Sequence, residues 1–132
     1  MAYTISDLQY LMARLRNPET GCPWDLKQTF TSVVPHTLEE VYELVDAIEQ
    51  GDSDQIRQEL GDVLFQIVFY SQLAAESAQF SFAEVVDGIV AKLFRRHPHV
   101  CLLYTLYAAD EDVSVEIAAS RTRRRTTTTP LT

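Results

Sequence analysis

At 132 residues, with 46% hydrophobic and 23% charged positions, the chain has the material for one folded domain, so a multidomain enzyme is not expected. Apolar residues recur periodically without a run of eighteen, and no basic stretch followed by an apolar one comes after Met1, so neither a membrane span nor secretion is expected and the cytoplasm is the expected compartment. The formal net charge is -8, and nine carboxylates between positions 39 and 62 stand against Arg57 alone, which argues against a broad duplex-DNA face, so no direct nucleic-acid binding is expected, and suits a cation site.

Residues 6–16 read as the first helix, because Leu8, Leu11, Met12 and Leu15 recur at i, i+3, i+4 and i+7. From 17 to 35 the periodicity stops. Pro18, Gly21, Pro23 and Pro35 each disfavour regular structure, so a long loop carrying Trp24 is expected, and loops of this length tend to be functional. Cys22 in this loop and distant Cys101 form no C-x-x-C pair and are expected as free thiols, with no zinc site.

A second helix is expected to open at Thr37, whose hydroxyl can cap the amide of Glu40 while Glu40 reaches back. It should run to about Glu49 with an apolar stripe of Leu38, Val41, Leu44, Val45 and Ile48, ending at Gly51-Asp52. A third helix starts near Ser53 or Asp54 and is apolar nearly all round from Val63 onward, more than one antiparallel partner can cover. It should therefore be central in a bundle and shared with a second subunit. The fourth helix takes Ser81 as N-cap and Glu84 as its reciprocal partner, and stops before Pro98 with Arg95 and Arg96 in its last turn. The expected architecture is all-α, an antiparallel bundle of about four helices. Residues 1–100 form its domain, and 101–132 an atypical tail, partly without fixed structure, that closes on a low-complexity Arg/Thr run.

The chemistry lies in two matched pairs. Glu40 and Glu43 are three apart on the second helix, and Glu59 and Asp62 three apart on the third, so each pair shares a face. If the helices fold back around Gly51-Asp52, Glu43 comes level with Glu59 and Glu40 with Asp62, and all four border the apolar stripes. Four carboxylates in one seam repel unless a hard divalent cation lies between them. Oxygen-only ligands select Mg²⁺, Mn²⁺ or Ca²⁺, and Mg²⁺, the commonest in cells, usually binds together with phosphates. Against this stands the plain alternative of solvated acidic helices. Lys92 and Arg96, four apart on the fourth helix, together with Arg95, fit phosphate oxygens, or compensation of the helix dipole. Trp24 has two available roles, stacking on a base or covering the bundle end. His36, His97 and His99 show no paired-ligand spacing and are expected in turns or caps.

Glu39-Glu40-x-x-Glu43, fifteen intervening residues and Glu59-x-x-Asp62 resemble the E-E-x-x-E…E-x-x-D signature of the all-α nucleoside triphosphate pyrophosphohydrolases of the MazG type. Leu11-Met12-Ala13-Arg14-Leu15-Arg16, Gly21-Cys22-Pro23-Trp24-Asp25-x-x-Gln28-Thr29, Thr37-Leu38-Glu39-Glu40 and Arg95-Arg96-His97-Pro98-His99-Val100 are similar to the same family's amino-terminal domain. The resemblance implies a homodimeric helical bundle that binds Mg²⁺, with Mn²⁺ as a substitute, and hydrolyses nucleoside triphosphates between the α and β phosphates. It further implies Glu40, Glu43, Glu59 and Asp62 as metal ligands, and Glu39 as the residue that orients or deprotonates water. Lys92 and Arg96 would act on phosphates, and Trp24, Lys27 and Arg95 would bind substrate. A dimeric nucleotide-binding module without catalysis is the rival expectation.

Overall fold

The computed structural model describes residues 1–102, and in them every regular element is a helix. The expected tail lies, apart from Cys101 and Leu102, outside the described residues. The described chain falls into a compact unit from Met1 to Val86 and a second beginning at Asp87.

Helix α1 (Ile5–Leu15) opens on Thr4, whose hydroxyl accepts from the Asp7 amide at 3.4 Å while the Asp7 carboxylate accepts from the Thr4 amide at 2.7 Å. Those bonds favour the ionised Asp7 carboxyl and hold its pKa below the usual 3.8. Between α1 and the next helix, Gly21 passes against the carbonyls of Leu15 and Asn17 so closely that a Cβ has no room.

The expected loop is replaced by two helical segments. Helix α2 (Pro23–Leu26) is a single turn with Pro23 at its first position, where a missing N–H costs nothing. Helix α3 (Phe30–Gln50) then starts seven residues before Thr37. Its cap is Thr29, whose hydroxyl accepts from the Ser32 amide at 3.2 Å while the Ser32 hydroxyl accepts from the Thr29 amide at 2.8 Å. Pro35 therefore lies inside the helix. Its missing N–H strands one carbonyl in the first turns, on an exposed side where water can serve it. The helix holds because Val33 is buried against Met12, Val68, Phe69 and Leu73. Thr37 is an interior position, its hydroxyl 3.2 Å from the Val33 carbonyl and 3.0 Å from Gln66 Oε1.

Gly51, left-handed at φ 74°, ends α3, and Asp52 caps α4 (Ser53–Glu76) by accepting from the amides of Asp54 and Gln55. α4 packs along α3 and across α1, and supplies most of the core, with Val68, Phe69, Leu73 and Ala74 buried. Helix α5 (Phe82–Arg96) has the expected cap: the Ser81 amide donates to Glu84 at 2.8 Å, and the Glu84 amide donates to Ser81 Oγ at 3.3 Å.

The expected stripe of α3 does not enter this core. Val33 and Ala47 are what α3 buries, while Leu38 and Ile48 are each 55% exposed and Val41 and Val45 are exposed beside them. On α4, Leu60, Leu64 and Ile67 are exposed as well. The apolar face read from the sequence is thus two faces, a buried one towards α1 and an uncovered one.

Arg16 ties the ends of three elements together. Its Nε and Nη2 each donate to a Glu76 carboxylate oxygen at 3.0 Å, and Nη1 donates to the Asp25 carbonyl at 2.5 Å and towards that of Gln28 at 3.4 Å. The guanidinium also lies 5.8 Å from the Phe69 ring centroid. An Arg16→Ala chain should lose about 2 kcal/mol in urea melts, and Arg16→Lys should recover little of it, since an ammonium lacks the planar fork.

Candidate active site

Because α3 and α4 fold back on each other at Gly51, residues equidistant from the turn become neighbours. Carboxylate oxygens of Glu40, Glu43 and Glu59 all lie within 4.8 Å of one another. Asp62 stands outside that triad but beside Glu40, with which it lines one cavity. One oxygen of Glu59, Oε2, is buried without any hydrogen-bond partner. An ionised oxygen in that position is costly unless a cation meets it.

The protonation of the cluster carries the same strain. Burial raises the Glu40 carboxyl above its ordinary 4.5, and the charges of Asp62, Glu43, Glu59 and Glu39 add to the effect. Glu59 is raised from 4.5 first by burial, then by the charges of Glu43 and Asp62 and by a hydrogen bond that its protonated form donates to the Glu43 side chain. Without a counter-charge Glu40 and Glu59 tend to hold protons. Its donors are carboxylate oxygens, with no imidazole or thiolate among the three, which is the set a hard divalent cation takes.

Next to the acids is a cavity of about 240 Å³, lined by Trp24, Val33, His36, Glu40, Asp62, Phe65, Gln66 and Phe69. α2 brings Trp24 to its mouth, half exposed, with its ring centroid 5.4 Å from that of His36 at 72°. His36, expected in a turn or cap, is instead a wall residue on the second turn of α3. Gln66 was not singled out by sequence reasoning. A glutamine among the apolar positions of α4 is the signal that could have found it, since a buried polar side chain needs partners. His97 does cap, its Nδ1 lying 3.1 Å from the Leu93 carbonyl.

The other candidate residues are not among the three that form this triad. Glu39 is exposed on α3 next to Glu40, and Lys27 is the exposed C-cap of α2 and no part of the cavity wall. Lys92, Arg95 and Arg96 are exposed at the end of α5 in the second unit, with Arg95 and Arg96 in the last turn. Cys22 is a free thiol.

Residues 28–101, spanning the acids of both helices and the basic turn, match the MazG nucleotide pyrophosphohydrolase domain. The chain belongs to the MazG family. It is 55% identical over 96 residues, 73% of its length, to a nucleoside triphosphate pyrophosphohydrolase of Escherichia coli, and 48% identical over 94 residues, 71% of its length, to one of Thermotoga maritima. A nucleoside triphosphate pyrophosphohydrolase of Mycobacterium tuberculosis is 36% identical over 121 residues, 90% of this chain, so that similarity to MazG proteins reaches into the stretch beyond residue 100 that sequence reading left unmatched. In all three comparisons the chain covers 36% of the relative, so it spans about a third of the length of these MazG proteins. No helix among the described residues is long and apolar enough to cross a membrane.

Proposed function

We propose that this MazG domain hydrolyses nucleoside triphosphates to nucleoside monophosphate and pyrophosphate with the help of Mg²⁺, for which Mn²⁺ can substitute. The observation that carries the reading is the buried, partnerless Glu59 oxygen within a carboxylate triad of Glu40, Glu43 and Glu59. In the proposed site these three and Asp62 hold the ion. A divalent cation so bound neutralises triphosphate charge and makes a coordinated water more acidic. Glu39, one residue beyond Glu40 and open to solvent, accepts the proton of the attacking water. The water oxygen bonds to the α phosphorus as the bridge to the β phosphorus breaks, and Lys92 and Arg96 balance the charge growing on the pyrophosphate. Trp24 packs against the base, while Lys27 and Arg95 steer the substrate.

The reading extends to the assembly. Residues 1–100 act as the catalytic domain, in a homodimeric bundle of about four helices per chain, with the uncovered strip of Leu38, Val41, Val45, Leu60 and Leu64 as the seam. A free thiol at Cys22 suits a reducing cytoplasm. Leu64→Glu should convert the dimer to monomer at micromolar concentration in sedimentation velocity, since a charge in an apolar seam has no partner.

The activity is tested by product analysis with a panel of ribo- and deoxyribonucleoside triphosphates, with and without Mg²⁺, and with Glu43→Gln as control. Metal-dependent pyrophosphate and monophosphate, absent in the control, is the expected result. Orthophosphate, or activity surviving in the control, removes the acidic cluster from the reaction. Nucleotide binding by the folded protein without turnover makes it a binding module.

A further inference from the structure

The polar wall of the cavity beside the acids consists of His36, the carboxylates of Glu40 and Asp62, and one amide, that of Gln66. Gln66 is 7% exposed, lies on α4 between Phe65 and the buried Val68 and Phe69, and forms part of the cavity wall. Its amide is fixed from behind by Thr37 and Tyr70. Thr37 Oγ1 is 3.0 Å from Gln66 Oε1 and 2.6 Å from the Tyr70 hydroxyl. Thr37 Oγ1 donates towards Gln66 Oε1 at 3.0 Å and towards the Val33 carbonyl at 3.2 Å, so its hydroxyl proton is used and Tyr70 is the donor in the bond between the two hydroxyls. Tyr70 is held in turn by stacking on Phe30, with ring centroids 5.8 Å apart at 14°. The relay Tyr70 to Thr37 to Gln66 ends at Oε1. Both N–H bonds of the amide are left without an acceptor among the described residues, on a side chain that faces the cavity.

We propose that this cavity is a base-recognition site, and that the Gln66 amide selects bases with a carbonyl at C4 of a pyrimidine or C6 of a purine, the uracil and hypoxanthine or guanine type, over those with an amino group at that position, the cytosine and adenine type. The proposal rests on the nucleotide reading given above and adds the substrate class to it. A volume of about 240 Å³ is on the scale of one planar heterocycle, below that of drug-sized ligand sites. Trp24, Phe65 and Phe69 give it π faces, which accept any base, so the discrimination falls to the polar wall. A carbonyl satisfies an N–H of Gln66. An amino group in its place sets donor against donor and leaves the buried amide unpaired.

Trp24 is the single tryptophan of the chain and lines the cavity, so its fluorescence reports occupancy whether or not anything is hydrolysed. The wild-type protein is titrated with uridine against cytidine and inosine against adenosine, and pyrophosphate release from the four triphosphates is measured in parallel. Uridine and inosine should bind about tenfold more tightly than their amino partners. Gln66→Leu should level the two members of each pair, and Gln66→Glu, which offers acceptors alone, should invert their order. A wild-type preference for the amino bases, equal affinity, no quenching by any nucleoside, or a preference that survives Gln66→Leu overturns the proposal. The wild-type order decides by itself should a variant not fold. Quenching in the expected order without pyrophosphate release leaves the base site standing and ends the hydrolase reading; pyrophosphate release without base order does the reverse.

Discussion

Glu59→Gln should lower Mg²⁺-dependent pyrophosphate release by about a thousandfold while raising the melting temperature of the metal-free protein. The two halves have one cause. Glu59 carries the buried oxygen that nothing in the chain satisfies, and its carboxyl is pushed up by burial and by Glu43 and Asp62. In a site built to receive a cation that oxygen is worth most when the ion is present and costs most when it is absent. The amide removes one charge from the cluster and adds a donor that Glu43 can accept, so the metal-free fold gains and the ion loses a ligand. Thermal melts with chelator and with Mg²⁺ separate the effects. Wild type should melt higher in Mg²⁺ than in chelator, by the mass-action stabilisation any ligand of the native state brings, and the variant should show little difference. A variant that melts lower than wild type in chelator would mean that Glu59 holds the helices together and has no special tie to a cation.

The two acidic pairs were legible because they depend on little. Spacing of three on each helix and equal distance from Gly51 bring the side chains together for any α3–α4 hairpin, and shifting the start of α3 by seven residues changes nothing at Glu40 or Glu43. What failed were readings that depend on which of several local signals wins. Thr37-x-x-Glu40 and Thr29-x-x-Ser32 are both capping patterns, and the first looks stronger, because Glu at the third position is the usual partner. Burial of Val33 decides for the second, and that burial depends on Met12, Val68 and Phe69, which are distant in sequence. The consequence for the site is direct. Freed from capping, Glu40 joins the acidic cluster, and Thr37 becomes the middle of the hydrogen-bonded relay behind the cavity.

The same dependence explains the stripe of α3 and the position of His36. Leu38, Val41, Val45 and Ile48 follow helical spacing faithfully, but spacing says that residues share a face and not what covers it. His36 reads as a turn or cap residue only while the helix is taken to open at Thr37; inside α3 it stands opposite Trp24. The basic turn of α5 was read correctly as helix, with Arg95 and Arg96 in its last turn.

Acidification from neutral pH towards 5 should stabilise the metal-free protein and destabilise it when Mg²⁺ is saturating. Glu40 and Glu59 both have native pKa values raised above the ordinary 4.5, so between that value and the raised one the native state binds more protons than the unfolded chain. Stability therefore falls as pH rises through the native pKa, and is regained on the way down. Asp7 runs the other way. Its carboxyl is held below 3.8 by the α1 cap, so the stability it adds is present above that value and is lost as pH falls through the lower one. Its loss sets in below the range where the two glutamates gain, and the metal-free melting temperature should pass through a maximum on the acid side of neutrality. A bound cation reverses the slope above that maximum, because protons now compete with it for the same oxygens. Melting curves taken at closely spaced pH values with chelator and with Mg²⁺ should cross. Parallel curves would show that the groups titrating in this range are not those that bind the metal.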